Sequence, residues 1–209
     1  LHVPPSSAVQ SISPFWDNSP TRIIQVSATD NDGVVENVEL WYRHSIDNIN
    51  WSGWVLFDND STHPYEFVFD FPMGVGFYEF YSRAWDNAGN YEDAPVEADA
   101  ACGYDVTSPT SPVLVTPENN AEVRESYGRP RFEWSRALDN VGAFPGSGVT
   151  YRLMIATDPS FSSLVYSKGG IVENWHVLEN SLPEGTYYWK VVAVDGAGNE
   201  NESGTFTLV

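Results

Sequence analysis

Apolar and polar residues alternate along this chain in short runs. The clearest run is Tyr65-Glu66-Phe67-Val68-Phe69-Asp70-Phe71, where an aromatic ring occupies every second position. A period of two is that of a β-strand with one buried face. Similar runs predict strands at Thr21–Thr29, Val34–Arg43, Trp54–Phe57, Tyr65–Phe71 and Phe77–Trp85. Later in the chain they predict Pro130–Ser135, Tyr151–Thr157, Trp175–Leu178, Thr186–Val194 and Thr205–Leu208. Gly, Pro, Asn and Asp bound these runs at intervals of roughly 8–12 residues, the spacing of an all-β sandwich. No segment keeps a 3.6-residue period for three turns. Ala94–Ala101 is the one stretch expected to turn helically.

The pattern repeats. Gly76–Asn90 (GFYEFYSRAWDNAGN) aligns without a gap on Gly185–Asn199 (GTYYWKVVAVDGAGN), with seven of fifteen positions identical. Two copies of one domain type follow, predicted at 1–107 and 108–209. The segment Tyr104–Pro112 is rich in turn formers and reads as the linker.

The second copy resembles a fibronectin type III-like domain. The residues that carry the likeness are Pro117-Glu118-Asn119-Asn120, Phe132-Glu133-Trp134, Tyr151–Phe161 and Leu182–Trp189. The resemblance implies that Tyr187 is a corner tyrosine whose hydroxyl ties back to the backbone. The first copy resembles the Ig-like modules of large archaeal and bacterial surface proteins, through Gly76–Tyr81 and Asp86-Asn87-Ala88-Gly89-Asn90. The implied fold is two tandem antiparallel β-sandwiches.

The repeat also assigns faces. Tyr187, Trp189, Val191 and Ala193 make an apolar face, so Tyr78, Phe80, Ser82 and Ala84 should point inward in the first copy. Phe77, Tyr81 and Trp85 then point outward, as does Trp41 one strand away. Trp41, Tyr81 and Trp85 are therefore a candidate ligand-binding strip for a sugar face or a protein anchor. The competing expectation is that Arg43 and Arg83 stack over these rings, or that the termini cover them.

Charge narrows the picture. The 209 residues carry 29 acids and 10 bases, a net charge of −19, and only two of the bases are lysines. Nucleic-acid binding and docking on an anionic membrane are excluded as expectations, because both need a basic surface. Residues 1–108 hold 17 acids against 3 bases, −14, and residues 109–209 hold 12 against 7, −5. Sandwich topology gathers Asp30, Asp32, Asp58, Asp60 and Asp86 at one pole of the first copy. In the second copy the same pole holds Asp139, Asp195 and Asn199, facing the linker residue Asp105. Calcium takes several hard oxygens, and these residues are its candidate ligands. Asp30-Asn31-Asp32-Gly33 starts like a calcium loop, but Trp41 stands where an EF-hand needs glutamate. The plainer expectation for the two Asp-x-Ala-Gly-Asn segments is a tight turn held by its own aspartate. No cofactor is required, and Ca²⁺ is the one ion considered.

Enzyme signatures are missing. His2, His44, His63 and His176 are scattered, and no His-Glu-x-x-His, Gly-x-Ser-x-Gly or phosphate-cradling glycine loop occurs. A single cysteine, Cys102, permits no internal disulfide and reads as structural. No run of 18 apolar residues predicts a membrane span, so no direct membrane insertion is expected. The start, Leu1-His2-Val3-Pro4-Pro5, lacks signal-peptide features, and the chain is expected to be a piece of a longer one. Asn50-Trp51-Ser52, Asn59-Asp60-Ser61 and Asn201-Glu202-Ser203 are glycosylation sequons, all in predicted loops. These readings converge on a non-catalytic spacer or adhesion segment of an extracellular or cell-surface protein. Its expected partners are neighbouring domains of the parent chain and a cell-surface glycan or protein. The alternative is a carbohydrate- or protein-binding accessory module of an extracellular enzyme.

Overall fold

The computed structural model describes residues 3–122, 129–139 and 146–209. His2 therefore lies outside the described residues. The chain divides into two units, Leu1–Val106 and Thr107–Val209. Both are all-β, and among the described residues there is no helix.

The first unit contains β1 (Ser6–Val9), β2 (Trp16–Asp17), β3 (Arg22–Thr29), β4 (Val35–Ser45), β5 (Val55–Asp60), β6 (Tyr65–Phe69), β7 (Gly76–Asp86) and β8 (Ala100–Tyr104). One sheet runs β1-β3-β6 and the other β2-β8-β7-β4-β5. On β6, Tyr65, Phe67 and Phe69 are buried while Glu66 and Val68 are exposed, as the alternation requires. They meet Ile24 and Val26 from β3, and Val38, Leu40, Tyr42, Tyr78 and Phe80 from the facing sheet. Phe69 is the hub of this core, edge-on to Phe80 at 4.9 Å and to Tyr42 at 5.2 Å between ring centroids. Edge-to-face packing adds about 0.5–1.5 kcal/mol per pair beyond area burial.

The second unit contains β9 (Leu114–Thr116), β10 (Arg131–Trp134), β11 (Val149–Ala156), β12 (Leu164–Ile171), β13 (Trp175–Val177), β14 (Tyr187–Asp195), β15 (Glu200–Glu202) and β16 (Phe206–Leu208). Its sheets are β9-β10-β13 and β12-β11-β14-β15, with β16 also on β14. Phe132 and Trp134 face Leu153, Ile155, Trp189 and Val191 in the core. Phe132 meets Trp189 edge-on at 4.9 Å.

The corner tyrosine is present in both units. Tyr187 Oη donates to Pro183 O at 3.1 Å, and Tyr78 Oη donates to Gly74 O at 2.6 Å. Tyr78 and Tyr187 occupy matching places in the repeat, so a likeness noticed for one copy extends to the other.

Two features of the fold differ from the pattern-based expectation. Ala94–Ala101 is not helical: 94–99 is irregular and Ala100 and Ala101 open β8. Tertiary bonds decide this segment, since the Asp99 carboxylate accepts from the N–H groups of Val9 and Ser82, both at 3.0 Å. Six strands carry no strong period: β1, β2, β8, β9, β12 and β15. They are short, polar or at an edge; Leu164–Ile171 includes Ser167-Lys168-Gly169-Gly170, all exposed. Such segments bury only isolated apolar side chains, such as Val9, Cys102 and Leu114, and pairing with a neighbour supplies the rest of what holds them.

Candidate functional site

The two Asp-x-Ala-Gly-Asn segments form the same turn. In the first unit, Asp86 Oδ1 accepts from the N–H groups of Ala88 and Asn90, both at 2.8 Å, and Asp86 Oδ2 accepts from Asn90 Nδ2 at 2.6 Å. In the second unit, Asp195 Oδ1 accepts from Ala197 N at 2.9 Å and Asn199 N at 2.8 Å, and Oδ2 accepts from Asn199 Nδ2 at 2.9 Å. Gly89 and Gly198 take positive φ, 84° and 90°, the left-handed region that favours glycine. The hydrogen bond from Asn90, with the backbone N–H groups, holds the Asp86 carboxyl below its usual range.

The first-unit aspartates are not assembled into one site. Asp30 Oδ1 accepts from Asp32 N at 3.1 Å, Asp58 Oδ1 from Asn59 N at 2.8 Å, and Asp60 Oδ1 from Thr62 N at 2.9 Å. Among the described residues, no three of Asp30, Asp32, Asp58, Asp60 and Asp86 bring ligand oxygens within 4.8 Å of one another. Asp30, Asp60 and Asp86 each brace a local turn and Asp58 bonds its own strand neighbour, so sharing a pole by topology does not make a cluster.

In the second unit two of the expected residues do converge. A carboxylate oxygen of Asp139 lies within 4.8 Å of one of Asp195. Ser147 ties Asp139 to the turn that follows Asp195: its N–H and hydroxyl both donate to Asp139 Oδ2, at 2.7 and 3.2 Å. Its Oγ accepts in turn from Gly196 N at 2.9 Å and Ala197 N at 3.3 Å. Glycines permit this closeness. A Cβ on Gly146 would stand 2.6 Å from Asp139 Oδ2, and one on Gly196 would stand 2.3 Å from Ser147 O. Two oxygens each about 2.4 Å from one calcium ion lie at most about 4.8 Å apart. The pair meets that limit, although Asp195 already accepts three N–H bonds. Asp105 lies one residue before the end of the first unit, and its N–H donates to Asp17 O at 2.9 Å.

The outward face of β4 and β7 carries the aromatic residues. Trp41 and Tyr81 are directly opposite in register and stack at 5.9 Å with 12° between planes. Trp54 meets Tyr81 edge-on at 4.5 Å. The Arg43 guanidinium carbon lies 4.7 Å from the Trp54 ring and 5.1 Å from Trp51. Arg43 Nε also donates to Glu79 Oε2 at 2.6 Å. Farther along, Trp85 stacks on Tyr91 at 5.4 Å and 13°, with Arg83 4.3 Å over Tyr91. Burial and the hydrogen bond with Glu39 push the Tyr91 hydroxyl up to about 12.

These rings point outward as the repeat predicts, but they do not form an open strip. Tyr81 is only 5% exposed, and Trp41 and Trp85 are half-buried. The side chains cover one another: indoles and guanidinium groups close over β7 from the solvent side. Phe77, also outward, is buried in the same way, with Trp16 at 5.1 Å. Sequence alternation shows the direction of a side chain but not whether a loop folds over it. Trp51, Trp54 and Tyr91 supply that cover; Trp51-Ser52-Gly53-Trp54 and the tyrosine following Asn90 are the signals that marked them.

Cys102 is fully buried, and burial pushes its thiol up to about 12. Such a group is not a thiolate nucleophile at neutral pH.

No protein-family model and no curated protein matches the sequence. Solved structures do resemble it. Fibronectin(III)-like modules of Clostridium thermocellum CbhA are 17% identical, over 97% of this chain and 92% of theirs, with a TM-score of 0.54. The FN1–FN3 domains of chicken CNTN1 are 15% identical, over 99% of this chain and 65% of theirs, with a TM-score of 0.51. The fold is that of tandem fibronectin type III-like β-sandwiches.

Proposed function

We propose that the chain is a non-catalytic, tension-resisting spacer or adhesion segment of a larger extracellular or cell-surface protein. The observation that carries this reading is how each unit joins its first strands to its last. In the first unit β2 pairs with β8 in parallel, Trp16 to Gly103 and Asp17 to Tyr104. Gly103 N donates to Phe15 O and Asp105 N to Asp17 O, both at 2.9 Å. In the second unit Ala121 bridges Leu208 in parallel, with Asn120 N donating to Thr207 O at 2.7 Å and Val209 N to Ala121 O at 3.0 Å. Pulling on the ends of such a unit loads these bonds together in shear, across their length. Separating them needs simultaneous rupture, whereas antiparallel strands peeled from one end break bond by bond. β7, at 11 residues, spans roughly 37 Å at about 3.4 Å per residue, which sets the length scale of a unit.

The linker is held at both ends. Asp105 is bonded to Asp17 as above, and Pro109 O accepts from Asn201 Nδ2 at 3.0 Å. Val106, Thr107 and Ser108 are the only residues between these anchors. Bound calcium on Asp139 and Asp195, with Asn199 as a further ligand, would relieve carboxylate repulsion within the second unit. Support for it is the approach of Asp139 to Asp195. A rise in melting temperature with millimolar Ca²⁺, reversed by a chelator and lost in Asp139→Asn, is the expected result. No shift removes the ion from the account and leaves the mechanical reading intact.

The second reading, an accessory module that holds a carbohydrate or protein, is favoured only by the half-buried indoles Trp41 and Trp85 on the outward face of β4 and β7, since Tyr81 is covered. Isothermal titration against soluble polysaccharides tests it. Binding lost in Trp85→Ala without loss of fold supports that reading, and absence of binding leaves the spacer alone.

A further inference from the structure

The three sequons are not equivalent in the folded chain. Asn59 lies inside β5, paired with Glu39, and its side-chain oxygen accepts from Asn37 Nδ2 at 3.2 Å. Asn201 lies inside β15, paired with Ala193. Its amide nitrogen is part-buried against Pro109 O. The hydroxyl residue of that sequon, Ser203, is only 6% exposed, and its Oγ accepts from Val191 N and donates to Gly204 O. Asn50 alone of the three lies outside the strands.

The loop around Asn50 is ordered and open. Asp47 Oδ1 accepts from Ile49 N and Asn50 N, at 2.9 and 2.8 Å, and Asp47 Oδ2 accepts from Asn50 Nδ2 at 2.6 Å. Asn50 and Ser52 are exposed. Ser52 Oγ accepts from His44 N and donates to Gly53 O, both at 3.0 Å, so it differs from Ser203 in exposure and not in hydrogen bonding. So are Ile46, at 46%, and Ile49, at 78%. Both apolar side chains present surface to solvent, and a covalently attached sugar chain beside them would cover it. A primary amide has two N–H bonds, so Asn50 can lose one and keep its bond to Asp47.

We infer that Asn50 carries an N-linked glycan and that Asn59 and Asn201 do not. This inference rests on the extracellular reading above. The chemistry is group transfer without redox change. Asn50 Nδ2 forms a bond to the anomeric carbon of a lipid-pyrophosphate-linked oligosaccharide. The bond from that carbon to the pyrophosphate oxygen breaks, and the lipid pyrophosphate leaves with the electron pair. The amide proton passes to a base of the transferase.

The test is secretion of the full chain from a yeast host behind a signal sequence, followed by enzymatic deglycosylation in heavy-oxygen water and peptide mass mapping. Export is imposed by the host, so the result reads sequon use and not where the chain naturally works. The expected result is labelled conversion at Asn50, with Asn59 and Asn201 unmodified. Asn50→Gln and Ser52→Ala each lose that glycan, and Ser52→Thr retains it. An unmodified Asn50 beside a modified control protein overturns the inference. Occupancy of Asn59 or Asn201 equal to that of Asn50 overturns it too.

Discussion

The Asp195 carboxylate holds Asn199 from two sides, accepting the backbone N–H on Oδ1 at 2.8 Å and the side-chain amide on Oδ2 at 2.9 Å. Asn199→Ala removes the second bond and leaves a mostly buried carboxylate oxygen with less to accept. The expected cost to the second unit is about 1–2 kcal/mol, read by chemical denaturation. Asn90→Ala should destabilise the first unit in the same direction. Equal stability of wild type and both variants would show that the turns are set by backbone alone.

Acid should unfold this protein. Backbone N–H groups and Asn50 hold Asp47 well below the usual carboxylate range, and Ser160 with neighbouring N–H groups does the same for Asp158. Asp86 is lowered as well. A depressed folded pKa means that the unfolded chain binds protons first. The stabilisation is complete above the unfolded value of roughly 3.9 and is lost as pH falls toward and below the folded values. Melting temperature should therefore fall steadily from about pH 5 to pH 2. A rise over that range contradicts the assignment.

Arg43→Ala should loosen the outward face of the first unit. It removes the contacts with Trp51 and Trp54 and the bond to Glu79. The expected loss is about 1–2 kcal/mol, with a change in tryptophan emission as the indoles gain water. Unchanged emission would mean that the rings keep their cover without the guanidinium.

Gly103 touches Trp16 so closely that an added Cβ would fall 2.2 Å from the indole. Gly103→Ala must displace Trp16, which also packs on Phe77 and Phe15. A loss of about 1–3 kcal/mol is expected, as for overpacking elsewhere. Cys102, by contrast, should resist alkylation at pH 8 until the first unit unfolds, and rapid labelling of the native chain would contradict its burial.

Much of this was legible in sequence because it is local or periodic. Tyr65–Phe71 alternates in aromatics, and its strand appears where the period puts it. The repeat of Gly76–Asn90 carried the inward set Tyr78, Phe80 and Ala84 across from the second copy. The remainder depends on contacts between distant segments. Nothing near Tyr81 in sequence tells that Trp41 and Trp54 close over it. Asp30 and Asp86 share a pole by topology, yet each turns its oxygens to its own loop. Asp139 and Asp195 do converge, 56 positions apart, and Ser147, which ties Asp139 to the turn after Asp195, carries no motif. Sequons at Asn59 and Asn201 read as loops because short polar strands lack a hydrophobic period.

Pulling the chain from its two ends in a single-molecule force experiment tests the mechanical reading most directly. The account predicts two separate unfolding steps, each releasing roughly 310–340 Å of chain, because each unit has about 105 residues extending to about 3.3–3.6 Å apiece, less the roughly 37 Å that the folded unit already spans. Asp105→Pro, which removes the N–H bonded to Asp17 O, should lower the force of one step and leave the other unchanged. A single step of twice that length, or both steps unaffected by Asp105→Pro, would contradict it.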